Sequence, residues 1–175
     1  MHNAIRTNQM RQTRLFFLVL TTIVLLSCDT NTEVKTSIAT SSDKTENTPD
    51  FNVALNFIND YVAFSSVKPT IDTNWITNNS SLTDNFKSKY SNLLDSAYKV
   101  DHELGLDFDP IFDAQDFPDK GFEISKFDNT TGYITVKGKA WKEFELVLKI
   151  VFQDNKWLVD GSGVINIPVD KRANR

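Results

Sequence analysis

Cysteine and histidine are nearly absent from this chain, with one Cys and two His among 175 residues. A lone thiol makes no intrachain disulfide and cannot build a cysteine-rich zinc site. His2 falls in the N-terminal segment, so His102 is the one imidazole left for the rest of the chain. Triad chemistry that needs a histidine base therefore has almost nothing to draw on. Positive charge is also short, with 19 Lys and Arg against 23 Asp and Glu. That balance argues against a nucleic-acid partner. No apolar run is long enough to span a bilayer, and no internal repeat is visible.

What the chain does have is an ordered start. Arg6, Arg11 and Arg14 precede Leu15–Leu26, twelve residues broken only by Thr21 and Thr22, and Ser27 stands directly before Cys28. Basic, apolar, small is the order of an export signal. Twelve helical residues cover roughly 18 Å against a hydrocarbon core of about 30 Å. The polar run Asp29-Thr30-Asn31-Thr32-Glu33 cannot extend that span. Ordinary secretory cleavage would leave an unpaired exported thiol, a liability that acylation removes. Leu25-Leu26-Ser27-Cys28 resembles the lipobox of bacterial lipoproteins, in which the cysteine takes a diacylglycerol and becomes the first residue.

Residues 1–27 are therefore expected to leave as a signal peptide and Cys28 to carry the lipid. Acylation would also consume the thiol, excluding cysteine nucleophiles and thiolate metal sites. Loss of residues 1–27 removes three Arg and no acid, leaving 16 basic and 23 acidic residues, a net charge of −7. Such a surface is not drawn to anionic lipid, so the expected membrane contact is the lipid anchor itself. The expected address is the bacterial cell envelope, on the inner or outer membrane, with the domain outside the cytoplasm.

Residues 29–50 are rich in Thr, Ser, Asn, Asp, Glu and Lys and show no period. With the anchoring cysteine they read as a flexible tether over 28–50, spanning roughly 25 Å on average. At Phe51 the composition changes, and one domain is expected over 51–168, with the basic tail 169–175 expected to fray. Phe51, Ala54, Leu55, Ile58 and Val62 recur at helical spacing after Pro49-Asp50. A short turn around Trp75 and Ile76 precedes a longer helix from about Thr83, striped by Phe86, Tyr90, Leu93, Leu94 and Ala97. Ser81 and Asp84 stand at capping-box spacing. Beyond residue 120 the period falls to two: Phe122 and Ile124, then Ile134 and Val136, then Phe144 to Phe152, then Trp157-Leu158-Val159. Helices followed by an amphipathic antiparallel sheet is the α+β pattern. The expected architecture is N-terminal helices packed on a curved sheet of about four strands.

Between helices and sheet lies a dense acidic stretch: Asp101, Glu103, Asp107, Asp109, Asp113, Asp116 and Asp119. Calcium needs clustered oxygens at fixed spacing. An EF-hand register from Asp107 places Phe112 where glycine is required, and no other register fits, so no metal is expected. Leu104, Leu106, Phe108, Ile111, Phe112 and Phe117 interleave with the acids and suggest a loop pinned to the core. Aspartates near Pro110 and Pro118 are ordinary turn chemistry. A carboxylate facing a tyrosine in an apolar pocket would be a proton-transfer site. Asp109 and Asp116, with Tyr61, Tyr90, Tyr98 and Tyr133, are the groups available for it. Ser162 lies in Asp160-Gly161-Ser162-Gly163, which lacks the nucleophile-elbow spacing, and the two glycines read as a bulge or bend. No cofactor motif is present.

Gly105-Leu106-Asp107-Phe108-Asp109-Pro110-Ile111, followed by Ala114-Gln115-Asp116-Phe117-Pro118, resembles the signature of the YbjP/YqhG-like bacterial lipoproteins, an uncharacterised family. Trp75, Leu82-Thr83-x-x-Phe86 and Lys156-Trp157-Leu158-Val159-Asp160 match as well, so the resemblance covers roughly 51–168. It implies a cone-shaped, nuclear transport factor-like (cystatin-like) α+β domain on an envelope lipoprotein. Asp107, Asp109, Gln115 and Asp116 are the candidate loop positions, for binding or for structure. The expected function is a non-enzymatic binding or accessory module for a protein or cell-wall partner. The alternative is a small-molecule or enzymatic domain with an Asp/Tyr pocket.

Overall fold

An aspartate starts the first helix. Asp50 accepts the amide of Asn52 on Oδ1 at 3.0 Å, satisfying one of the N–H groups that a helix start leaves over. The helix, α1, runs Asn52–Val67. The computed structural model describes residues 48–67 and 73–174; the signal segment, Cys28 and the tether through residue 47 lie outside the described residues. Phe51, Ala54, Ile58 and Val62 are buried as the sequence pattern requires. Leu55 is half-buried, and Phe57 and Tyr61 take the centre of the face instead. Their rings reach Trp75, Phe86 and Phe112 at 5.0–6.1 Å between centroids.

A short α2, Thr73–Thr77, buries Ile76. The long helix α3 is Asp84–Val100, and its cap is Thr83, whose Oγ1 accepts the amide of Phe86 at 3.0 Å. The expected Ser81–Asp84 capping box does not form. Ser81 and Thr83 lie along the last strand, with the Thr83 amide on the Val159 carbonyl and the Val159 amide on the Ser81 carbonyl. The helix therefore cannot begin before Thr83, whose hydroxyl also donates to Asp160 at 2.7 Å. Phe86, Tyr90 and Leu94 are buried, and beyond Leu94 the helix leaves the core.

Four strands complete the domain: β1 Phe122–Phe127, β2 Tyr133–Gly138, β3 Glu145–Gln153 and β4 Lys156–Ser162. They form one open antiparallel sheet in the order β1-β2-β3-β4. Period-two burial puts Phe122, Ile134, Val136, Leu146, Leu148, Ile150 and Val159 in the core beside the helices. Register slips set extra residues at Ser125 in β1 and Asp160 in β4, and such bulges bend a strand and raise its twist. The result is a curved α+β sheet, as the sequence pattern predicts. Both edges are covered in part: Ser81–Thr83 pairs with β4, and Asn59 of α1 clamps Phe122, accepting its amide at 2.7 Å and donating to its carbonyl at 3.2 Å.

Leu158 and Ile167 are buried outside the main cluster. The end of the chain turns through a 3-10 helix, Val169–Lys171, and Arg172 donates Nε to the Ile167 carbonyl at 3.0 Å. This bond ties Arg172 back to the segment that follows β4. The guanidinium supplies fixed donors that composition alone does not reveal.

Candidate functional site

The acidic loop divides at residue 113 into an inner half and an outer half. In the inner half, Asp109 Oδ1 accepts the amides of Ile111 at 2.8 Å and Phe112 at 3.1 Å, an Asx turn around Pro110. Its Oδ2 accepts the Tyr61 hydroxyl at 2.7 Å. Its backbone pairs with Ala114 in both directions, closing a six-residue loop, 109–114, with Asp113 in the left-handed region at φ 55°. The carbonyls are spoken for as well. Ile111 accepts the buried Ser162 hydroxyl at 2.9 Å, and Pro110 accepts the Val164 amide at 3.0 Å. Gly163, at φ 58°, is where the last strand meets this loop; a Cβ there would stand 2.5 Å from both carbonyl oxygens. Gly163 thus serves a close backbone approach to the loop, while Gly161 leaves room for the Ile167 side chain.

Half-buried as a residue, Asp109 turns its carboxyl inward. Burial pushes that carboxyl above its ordinary value, against the pull of the Tyr61 hydroxyl and the two amides. Burial first, and the facing carboxylate second, push the Tyr61 phenol far above its ordinary range, so it stays protonated and donating. Tyr61 and Asp109 are therefore the pairing that the sequence left open, but the pair looks onto packed rings. Phe112 lies 5.0 Å from Tyr61 and is fully buried. Every acceptor of the carboxylate is directed at this loop or at Tyr61, so the pair does structural work.

The outer half runs the other way. Gln115 and Asp116 are exposed, as is Asp107 ahead of the inner turn. Phe117 stacks on Phe112 at 4.4 Å, and Pro118 lies beneath Gly138 at the end of β2. This packing carries Ala114, Gln115 and Asp116 to one wall of a groove of about 390 Å³. Trp141, Glu143 and Phe144, from the turn between β2 and β3, line it too, together with Asn174. The turn is held by the Gly138 amide on the Phe144 carbonyl and the Lys139 amide on the Gly121 carbonyl. Trp141 packs edge-on to Phe144 at 5.1 Å yet stays 45 % exposed.

Of the four loop positions, the structure brings Gln115 and Asp116 to the groove, sets Asp109 beneath it and leaves Asp107 outside. Trp141, Glu143 and Asn174 are absent from the sequence reading. A signal was present for Trp141, a large aromatic in the polar run Lys139-Ala140-Trp141-Lys142-Glu143 between two clear strands. Such a ring fits neither strand period and so points to a surface use. Among the described residues no group of three His, Cys, Asp or Glu is placed to hold a metal ion. Among them, too, no helix is long and apolar enough to cross a membrane. Compared with known proteins, the chain matches no family model, no curated protein and no solved structure.

Proposed function

We propose that this chain is a lipid-anchored binding module of the bacterial envelope, related to the YbjP/YqhG-like lipoproteins, that engages a partner at the groove between residues 114–116 and 141–144. The carrying observation is the half-exposed Trp141 at the rim of a groove whose far wall is fixed from within by Asp109. Aromatic side chains presented rigidly to solvent are the usual anchors of recognition. The anchor part rests on the tripartite start and Cys28. What weighs against the enzymatic alternative is that Asp109 and Tyr61, a buried carboxylate–phenol pair, are consumed by the loop they hold.

Two measurements test the two parts. Cys28→Ser in the producing cell is expected to abolish labelling by an alkyne fatty acid and to release the protein from the membrane fraction. Unchanged labelling would remove the lipoprotein reading. A photo-crosslinking residue at position 115 is expected to give one discrete adduct in intact cells, lost in Trp141→Ala. Adducts equally abundant from position 154, at the opposite end of the sheet, would remove the groove reading.

A further inference from the structure

Resting on that groove reading, we propose that the occupant is a basic segment of a protein partner, with an arginine or lysine side chain laid over Trp141 between Asp116 and Glu143. The lining contains two carboxylates and no base. Among the described residues neither Asp116 nor Glu143 takes part in an ion pair. Two nearby lysines are engaged elsewhere, Lys120 with Asp119 at 3.3 Å and Lys142 with Glu123 at 2.8 Å, and Lys139 directs its ammonium toward Gly121, outside the groove lining. A neutral ligand covering this groove would strip water from both carboxylates and return no compensating charge. A cation compensates both, and the face of Trp is the best aromatic surface for one. Arginine has the advantage over lysine, since its planar group stacks on the indole while its fork reaches a carboxylate. The groove belongs to a chain whose exported part has a net charge of −7, which steers basic partners toward it. A glycan stacked on Trp141 is the competing occupant; it would use the ring and leave the charge pattern unexplained.

The full chain in mild detergent, with a dye-labelled, amidated hexapeptide of alternating Arg and Leu followed by anisotropy, decides between them. Saturable binding is expected, at least tenfold weaker for the same peptide with Gln in place of Arg, and weakened again between 50 and 300 mM salt. Asp116→Asn and Glu143→Gln should each weaken it threefold to tenfold. Trp141→Ala should abolish it, with partial retention in Trp141→Phe. Asp154→Asn, the same charge change at the far end of the sheet, should leave it unchanged; asparagine suits the left-handed φ of 51° there. Equal loss in Asp154→Asn would reduce the effect to net charge and overturn the proposal. So would equal binding of the Gln peptide, competition by chitotetraose, or no binding at all. The crosslinking at position 115 is read separately, so a groove that docks something other than a cation is distinguished from a groove that docks nothing.

Discussion

Asp109 and Asp116 lie seven positions apart in one acidic loop, and the fold puts them to opposite uses. Asp109 faces two backbone amides and a phenol, and burial raises its hold on a proton. Asp116 faces a groove and solvent, with no ion pair among the described residues. The division is set by the neighbours on the C-terminal side of each aspartate. Pro110 and the two apolar residues after it drive the first turn into the core, where Asp109 must satisfy the amides that turn exposes. Phe117 and Pro118 anchor the second turn from below and leave Asp116 at the surface. An acidic run is thus not one chemical object. Its members sort by the nearest apolar neighbour that the core can accept.

The sharpest way to break this comparison is Asp109→Ala. It strands the Ile111 and Phe112 amides and the Tyr61 hydroxyl inside the loop. Unsatisfied buried groups cost about 1–3 kcal/mol each, and partial access to water lowers the sum, so a loss of about 3 kcal/mol is expected. Urea denaturation checks it. A loss under about 0.5 kcal/mol, of the size ordinary at surface positions, would mean that the inner half is a site like the outer half. Tyr61→Phe removes one of the three bonds while keeping the ring against Phe112, and should cost about 1 kcal/mol by the same measurement.

How much of this was readable beforehand depends on which interactions have a period. The helices and the four-stranded sheet are visible because Ala54, Ile58 and Val62, or Phe144 to Phe152, repeat at the spacing of their element. The pinned loop was partly visible in its interleaved Ile111, Phe112 and Phe117. The Tyr61–Asp109 bond was not, because it joins a helix to a loop 48 residues away and no local rule links them. Thr83 defeated the cap reading for the same reason, since pairing to β4 decides where α3 begins. Trp141 is linked to the Gln115–Asp116 side through a chain of ring contacts, Phe117 stacked on Phe112, Phe112 on Phe122, then Phe122 and Trp141 each edge-on to Phe144. That chain of contacts has no sequence spacing at all.

A smaller effect separates charge from hydrogen bonding within the inner half. In Asp109→Asn the amide oxygen can still accept from Ile111 and Phe112, and the amide group can donate to the Tyr61 oxygen. The expected loss at neutral pH is therefore below about 1 kcal/mol. The pH dependence carries the distinction. A carboxyl whose affinity for protons rises on folding contributes stability that is present below its unfolded value, near 3.8, and is lost as pH rises through its raised folded value. Wild type should thus gain on Asp109→Asn as pH falls from neutral toward 4. A stability difference that is flat or runs the other way would show that the amides outweigh burial at this carboxyl.

The smallest stability effect is expected in the outer half, and its smallness is the point. Asp116→Asn removes a charge that holds nothing in place among the described residues, and Trp141→Ala removes a ring whose support is the turn's own backbone bonds. Each should stay near wild type in urea denaturation, within about 0.5 kcal/mol for Asp116→Asn and about 1 kcal/mol for Trp141→Ala, whose Phe144 contact is lost. Trp141→Ala should nevertheless lose the position-115 adduct and the binding of the Arg–Leu peptide, and Asp116→Asn should weaken that binding threefold to tenfold. If Asp116→Asn destabilises as much as Asp109→Ala, the two aspartates do one structural job and the groove loses its claim. If stability holds and binding fails, the same loop has been divided between a residue that builds the wall and a residue that uses it.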